Sequence, residues 1–273
     1  MTWTIIILIA AVALYMFGHI LLKRDGKKAS LMNTVMHKGL STIAVILIAG
    51  CIARLVVPVY LTKTNPAILQ EMVAEMQAQQ EAEKNKVVRN YVKEHAKEMI
   101  GDAPIAGNVN ATKTIFLWSD YSCPYCRRVH GDLMRVLAER DDVRVVLKNF
   151  SIHGPLSDAP AKAVIAAKIQ DNAKAAALDK LLMDKEYFTK EDMKDQSKLG
   201  EKIEANVMKL AKEAGLDTKK LAEDMNGEVV KKELRQVREL AQRFEISGTP
   251  YLIIGEKAFG GAIPYSKIVE ELK

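Results

Sequence analysis

Cysteine is scarce in this chain, with three residues among 273, and aromatic residues make up only 6% of it. Three cysteines are too few for a fold that is held together by disulfides. No basic run is interleaved with aromatic residues, so the net charge of +6 predicts no nucleic-acid partner. What the chain does contain is a pair of closely spaced cysteines and two long apolar runs.

The two apolar runs lie near the N-terminus. Trp3 to Leu22 carries no charged residue, and its length matches the ~20 residues that cross a bilayer as a helix. Leu40 to Leu61 is also long enough, and its Arg54 lies near one end, where it can extend to the headgroups. The segment between the runs carries five basic residues and one acid, and such a loop stays in the cytoplasm. Residues 1–63 are therefore predicted to anchor the chain in a bacterial inner membrane through spans at 3–22 and 40–61, with the rest in the periplasm.

A second interpretation concerns processing of the same region. From Met36 the sequence resembles a lipoprotein signal, with an apolar core before Cys51. Translation from Met36 would make Cys51 a lipid attachment site, whereas in the first interpretation Cys51 is a small apolar residue of a membrane helix. Both interpretations place the remaining chain outside the cytoplasm and next to membrane lipid.

A polar helix is predicted next, over residues 64–101. Asn65 and Pro66 supply an N-cap and a proline for the first turn, and Gly101 marks the end. Apolar residues recur every three or four positions but are few, so this helix would bury little by itself. It is a stalk through which copies of the chain associate, a solvated spacer, or a helix that lies on the following domain, with His95 in its apolar seam.

The most informative feature is the pair Cys123 and Cys126, separated by Pro124 and Tyr125. A strand-like apolar run, Thr114 to Trp118, precedes the pair, and a helical pattern follows it. The free N–H groups and the dipole at the start of that helix favour a thiolate at Cys123. Cys123 is therefore the predicted nucleophile, and Cys126, one turn further, is the more shielded resolving thiol. Pro124 suits the first helical turn.

Two other interpretations of the pair are open. A Cys-x-x-Cys pair often forms half of a zinc site, which His130 and His153 would complete. It can also form a structural disulfide, although a bridge across so short a loop stabilises little. We predict no metal site, because Cys51 lies far away in the sequence and no second Cys or His pair follows at short spacing.

The segments around the pair alternate between strand and helix. Val143 to Lys148 is short and β-branched, which predicts a strand parallel to the one before the cysteines. Residues 159–244 have helical spacing, and a hairpin at 251–259 and a helix at 265–272 close the chain. Breaks in the helical segment are predicted near Thr189, Gly200, Gly215 and Gly227.

Four segments, in this order and spacing, resemble the DsbA-like branch of the thioredoxin superfamily; they are Pro104–Asn108, Trp118–Cys126, Lys148–Pro155 and Ser247–Pro250. The resemblance implies an α/β thioredoxin fold over 102–273, with a helical insertion at about 157–244. It also implies that Pro250 is a cis-proline packed against the cysteine pair and that Thr249 offers backbone groups to a substrate strand. Tyr125 would then form part of the substrate surface.

The chain departs from this family where proton transfer is concerned. DsbA and thioredoxin carry a buried acid six residues before the first cysteine, and this chain has Leu117 there. Proton transfer during resolution of the mixed disulfide then needs another group. Asp120 is the nearest carboxylate in sequence, although it is equally placed to cap the turn. His130 would favour the thiolate if charged, but it is expected to be solvated at the surface.

By this resemblance the chain is a thiol-disulfide oxidoreductase that oxidises or isomerises disulfides and needs no dissociable cofactor. Its expected substrates are unfolded or disulfide-bonded envelope proteins, and a DsbB-like or DsbD-like membrane protein would exchange electrons with it. A threonine at the place of Thr249 is found in disulfide isomerases and in several DsbA-like proteins, whereas the strong oxidant DsbA has valine there. The polar helix is similar to the stalk of trimeric ScsC-type isomerases. Both similarities favour isomerisation.

Two hypotheses from other classes stand beside this one. The chain could be a membrane-anchored scaffold or chaperone of an envelope assembly, with idle thiols. It could also be a glutaredoxin-like reductase, which shares the Cys-Pro-Tyr-Cys sequence but requires a domain in the cytoplasm. The basic loop argues against the second.

Overall fold

The computed structural model of the chain describes residues 12, 13, 16, 42, 43, 45–54, 56, 57 and 66–273. Most of the two predicted spans, the basic loop between them and the alternative start at Met36 lie outside these residues. Among the residues described, no helix is both long enough and apolar enough to cross a membrane.

Contacts within the chain divide it into two units, residues 1–79 and 80–273. The boundary falls within helix α1 (Pro66–Ile100). Gly101 follows this helix with a φ of +51°, a conformation that glycine adopts at no steric cost, so the helix ends where the sequence predicts. In the first unit α1 exposes the apolar side chains of Met72, Val73 and Met76.

The second unit, all of which is described, contains a five-stranded sheet in the order β1-β3-β2-β4-β5. The strands β2 and β3 are parallel, as predicted, and the other neighbours are antiparallel. Both central strands are largely buried because they carry apolar side chains on both faces. The strands are β1 (Ile105–Gly107), β2 (Lys113–Ser119), β3 (Val143–Asn149), β4 (Tyr251–Ile254) and β5 (Lys257–Gly260).

The predicted helical insertion is confirmed, with five helices between β3 and β4. Two of them begin with aspartate N-caps, Asp171 and Asp217, whose side chains accept hydrogen bonds from backbone N–H groups of the first turn. The α-helices are interrupted between Asp184 and Leu199, so the breaks predicted near Thr189 and Gly200 are confirmed to within one residue. The helices after α1 are α2 (Pro124–Glu139), α3 (Pro155–Gln170), α4 (Asn172–Asp184), α5 (Leu199–Glu213), α6 (Thr218–Asp224), α7 (Glu228–Arg243) and α8 (Tyr265–Glu271), with a 3₁₀ turn at Asp192–Lys194.

Helices cover both faces of the sheet. On one face α2 and α8 pack against a cluster that includes Leu117 and Leu147. On the opposite face α7 packs against Phe116 and Trp118. The helices of the insertion form a third cluster, which also contains both cysteines of the pair. The pair therefore lies where the sheet layer meets the insertion.

Within the second unit, α1 packs on the domain that carries the sheet. Val88 is buried, and the Tyr91 ring meets Phe244 edge-on, with 5.5 Å between centroids. The Asn85 side chain accepts a hydrogen bond from the N–H of Ala258 on the edge strand β5 (2.8 Å). Of the three alternatives for the predicted stalk, this half of it follows the last, a helix that lies on the domain.

A buried ion pair joins three elements of the second unit. Lys148 Nζ on β3 lies 2.7 Å from Glu233 Oε1 on α7, and both side chains are buried. Glu233 Oε2 accepts a hydrogen bond from the Asp102 N–H (3.0 Å), just after α1. Lys148 Nζ also donates to Gln236 Oε1 (3.1 Å). Burial lowers the pKa of Lys148, and the charge of Glu233 opposes that shift.

Candidate active site

The turn that carries the cysteine pair joins the end of β2 to the start of α2. Cys123 is the N-cap residue of α2 with an extended backbone (φ −81°, ψ 119°), and Pro124 occupies the first turn, where its missing N–H costs nothing. The Cys123 carbonyl accepts hydrogen bonds from the N–H groups of Cys126 (3.1 Å) and Arg127 (3.2 Å). The predicted sequence of strand, turn and helix is confirmed.

The two thiols differ in their surroundings. Cys123 is 6% exposed, and its Sγ lies 3.5 Å from the Thr249 carbonyl oxygen, to which the thiol donates. Cys126 is 1% exposed, and its Sγ accepts a hydrogen bond from the Asp120 N–H at 3.5 Å. The prediction that Cys126 is the more shielded of the two is confirmed.

Burial has a chemical consequence for the second thiol. It raises the pKa of Cys126 to about 11, although the side chains of Thr249 and Ser119 and the Asp120 N–H partly oppose it. At neutral pH Cys126 is therefore a thiol. It has to lose its proton before it can attack a disulfide, because the thiolate is the nucleophile.

The loop before β4 faces the pair. The Thr249–Pro250 peptide bond is cis, as the resemblance to the DsbA-like branch implies. Tyr125, between the cysteines, is 65% exposed. A groove of about 400 Å³ adjoins the loop, lined among others by Ser247, Gly248, Thr249, Pro250, Gly260 and the α1 residue Asn85. The exposed tyrosine and the groove make the Cys123 end of the pair the end that another polypeptide can approach.

The side chain of Asp120 lies inside the turn and forms hydrogen bonds with its residues. One of its buried carboxylate oxygens accepts hydrogen bonds from the Ser122 N–H (2.8 Å) and the Ser157 hydroxyl (2.6 Å). The other accepts from the Ile152 N–H (2.8 Å) and lies 3.0 Å from His153 Nδ1. Burial alone would raise the pKa of Asp120, but these hydrogen bonds outweigh it and lower the pKa. A carboxylate bonded in this way is a poor proton acceptor, so the geometry favours the alternative role, a cap of the turn.

His130 is buried, which corrects the expectation that it is solvated at the surface. It lies on α2 one turn after Cys126, and its Nε2 is 2.9 Å from Asp179 Oδ2 on α4. Asp179 Oδ1 accepts a hydrogen bond from the Tyr121 hydroxyl (2.8 Å). Burial and the charge of Asp179 raise the pKa of Tyr121 well above its usual range. The expectation failed because α4 covers this face of α2, and the spacing along α2 alone does not reveal a covering helix.

The arrangement does not support the zinc interpretation. His130 turns toward Asp179, and His153 contacts Asp120 with its side chain about half exposed. In the part of the chain that the structure describes, no three Cys, His, Asp or Glu side chains are grouped to hold a metal ion.

Comparison with known proteins points to one family. A family model described as thioredoxin matches residues 99–273. A thioredoxin-like oxidoreductase from Silicibacter pomeroyi is 30% identical, with 63% of this chain and 90% of that chain covered and a TM-score of 0.54.

Two further solved structures share the fold. The thiol-disulfide exchange protein α-DsbA2 from Wolbachia pipientis is 22% identical, with 69% of this chain and 97% of that chain covered and a TM-score of 0.57. ScsC from Proteus mirabilis, in a compact conformation, is 25% identical, with 78% and 99% covered and a TM-score of 0.53.

Proposed function

Because the chain belongs to the thioredoxin family over residues 99–273 and is a DsbA-like thiol-disulfide oxidoreductase, we propose that Cys123 and Cys126 carry its reaction. We further propose that the reaction oxidises or isomerises disulfides in envelope proteins. The observation that supports this most is the position of Cys123. Its sulfur lies at the start of α2 against the Thr249 carbonyl, with Cys126 buried beneath it.

The proposed oxidation proceeds in two exchanges. A substrate thiolate attacks the Cys123 sulfur of the oxidised pair, the bond between the two cysteines breaks, and Cys126 leaves. A second substrate thiolate then attacks the substrate sulfur of the mixed disulfide and releases Cys123. The two electrons pass from the pair to a DsbB-like membrane partner. The sulfur atoms hold the electrons throughout, so the reaction requires no dissociable cofactor.

Isomerisation uses the reduced pair. Cys123 attacks a wrong disulfide of the substrate, and the mixed disulfide is then attacked either by another substrate thiol or by Cys126. A DsbD-like partner would keep the pair reduced. The Thr249 carbonyl and the exposed Tyr125 would contact the substrate chain as it passes the pair, and the groove beside Pro250 would hold its continuation.

Equilibration of the full-length protein with glutathione buffers tests this function. The fraction of oxidised pair, measured by alkylation of the reduced thiols and gel shift, is expected to give a potential between about −120 and −180 mV, the range of DsbA and protein disulfide isomerase. A value near about −270 mV, the potential of thioredoxin, would instead indicate a reductase and contradict a role in oxidation.

We also propose that residues 1–63 anchor the chain in a bacterial inner membrane with the second unit in the periplasm. The charge-free runs and the basic loop between them support this. In spheroplasts that express the Cys51→Ser variant, a membrane-impermeant maleimide is expected to label the reduced pair before lysis. Labelling that appears only after lysis would place the domain in the cytoplasm and favour the glutaredoxin-like alternative.

Self-association through α1 is part of the proposal. Met72, Val73 and Met76 are exposed on the described helix in the first unit, and an exposed apolar side chain at intervals of three or four residues suits a helix-helix contact. The half of α1 in the second unit already covers its own domain, so the contact between copies would use residues before Gln80.

A further inference from the structure

Resolution of a mixed disulfide by Cys126 requires a proton acceptor. With a pKa of about 11, Cys126 is almost entirely a thiol at pH 7. Leu117 occupies the position of the acid that serves this step in related folds, and a leucine accepts no proton. The oxygens of Asp120 are occupied by five hydrogen-bonding groups. The acceptor therefore has to be sought elsewhere around Cys126.

His130 has the chemistry and the position of such an acceptor. It follows Cys126 by four residues on the same buried face of α2, and side chains at this spacing are neighbours on a helix. A helical side chain also leans toward the preceding turn, which here is the turn of Cys126. His130 Nε2 lies 2.9 Å from Asp179 Oδ2. Its Nδ1 is buried and has no hydrogen-bond partner in the part of the chain described, and the Cys126 thiol is not in hydrogen-bonding geometry with it.

The hydrogen-bond partner of Nε2 determines whether Nδ1 can act as a base. In a neutral imidazole one nitrogen carries the proton and the other is a base. A carboxylate at Nε2 favours the tautomer with the proton on Nε2, so that Nδ1 presents its lone pair. Asp179 is itself fixed by the hydrogen bond from the Tyr121 hydroxyl. Asp179, His130 and Cys126 would then play the roles that the carboxylate, the histidine and the nucleophile play in the catalytic triads of hydrolases.

We propose that His130 Nδ1 accepts the proton of Cys126 when the mixed disulfide on Cys123 is resolved, with Asp179 as the positioning residue that holds the imidazole. This inference rests on the proposed function of the pair. In the step, the Cys126 side chain turns toward His130, the S–H bond of Cys126 breaks and the proton moves to Nδ1. The Cys126 sulfur then forms a bond with the Cys123 sulfur, the bond from Cys123 to the substrate sulfur breaks, and the substrate leaves as a thiolate that takes the proton from His130.

Within the described residues, two titratable groups are linked to His130 by hydrogen bonds. Asp179 faces it from α4 and Tyr121 faces Asp179 from the turn before α2. On α2 itself, Arg127 is turned away to the carbonyl of Met183 (2.6 Å). The buried pair of Lys148 and Glu233 lies across the sheet, because Lys148 is paired in register with Trp118 on the face that α7 covers. Asp179 is thus the charge in direct contact with the imidazole.

The test separates attack by Cys123 from resolution by Cys126. The reduced full-length protein in detergent is mixed with oxidised glutathione, quenched with acid at intervals and weighed by mass spectrometry, which distinguishes the free, glutathionylated and internally oxidised forms. In His130→Gln, formation of the adduct is expected within about twofold of wild type. Its resolution at pH 7 is expected to slow by at least about tenfold, since a positioned base contributes about 10² to 10⁴.

The pH dependence of the resolution rate distinguishes a proton acceptor from a residue that only supports the structure. Loss of a merely structural residue would leave this pH dependence unchanged. In His130→Gln the resolution rate should rise about tenfold per pH unit toward pH 11, because hydroxide then has to remove the Cys126 proton. The wild type should show a shallower dependence. The matched control His95→Gln, on α1, should follow the wild type in both rates.

Each outcome decides a different claim. If wild type forms neither the adduct on Cys123 nor the internally oxidised pair, the proposed function itself fails. If the adduct forms and His130→Gln resolves it at the wild-type rate, the role of His130 is overturned. If the His130→Gln protein does not fold, the Asp179→Asn protein tests the proposal instead. This change leaves the imidazole in place but removes the charge that orients it. It is expected to slow resolution and not adduct formation, and an unchanged resolution rate would overturn the proposal.

Discussion

Replacing Cys123 by serine is expected to lower the rate of disulfide exchange by at least about 10³-fold. A serine hydroxyl is not ionised near neutral pH and cannot form the mixed disulfide. Replacing Cys126 by serine has a different expected result, because Cys123 can still attack. The mixed disulfide then lacks its buried resolving thiol, and substrate proteins remain bound to Cys123.

Both results are measured with the full-length protein in detergent, by refolding of a scrambled disulfide protein and by gels run without reductant. Adducts that disappear on reduction should accumulate with Cys126→Ser and be absent with Cys123→Ser. Cys51→Ser is the matched control, since it removes a cysteine of the first unit and leaves the pair intact. If disulfide exchange persists at the wild-type rate in Cys123→Ser, the pair does not carry the reaction. That result would favour the scaffold hypothesis instead.

The sequence predicts the local parts of this site well and for clear physical reasons. A strand followed by a turn with Pro124 and a helix is a local pattern, so the burial difference between Cys123 and Cys126 follows from helix geometry. Thr249 is different, because it is 126 positions from the cysteine that it contacts. Without the resemblance to a known family, no local pattern would place it there.

The residues that sequence reasoning missed share one feature. Glu233 lies three residues after Val230 and four before Val237, on the buried stripe of α7. Asp179 likewise lies between Leu178 and Leu182 on the buried stripe of α4. A charged residue on an apolar stripe indicates a partner in the core, since an unpaired buried charge is costly. The partner itself is set by tertiary packing, and Lys148 is 85 positions from Glu233.

Replacing Glu233 by glutamine is expected to lower the free energy of unfolding by about 3–5 kcal/mol, the usual cost of breaking a buried ion pair from one side. Glutamine keeps the shape of the side chain and can still accept the Asp102 N–H. It removes the charge that offsets the burial of Lys148, which must then stay charged without a partner or lose its proton at a cost. Because domains of ordinary size are stable by about 5–15 kcal/mol, the loss is a large share of the total.

Urea unfolding of the second unit, followed by circular dichroism in the full-length protein, measures this loss. Glu239→Gln is the matched control on the same helix, since Glu239 is exposed, and it should cost less than about 0.5 kcal/mol. The double variant Lys148→Met with Glu233→Met should cost less than Glu233→Gln alone, because no charge is then left buried and the main remaining penalty is the unpaired Asp102 N–H, about 1–3 kcal/mol. If instead the losses of the single variants add in the double variant, the pair is not coupled. The structure also predicts that adduct formation and resolution at the cysteines stay unchanged in Glu233→Gln, since the sheet separates this ion pair from α2.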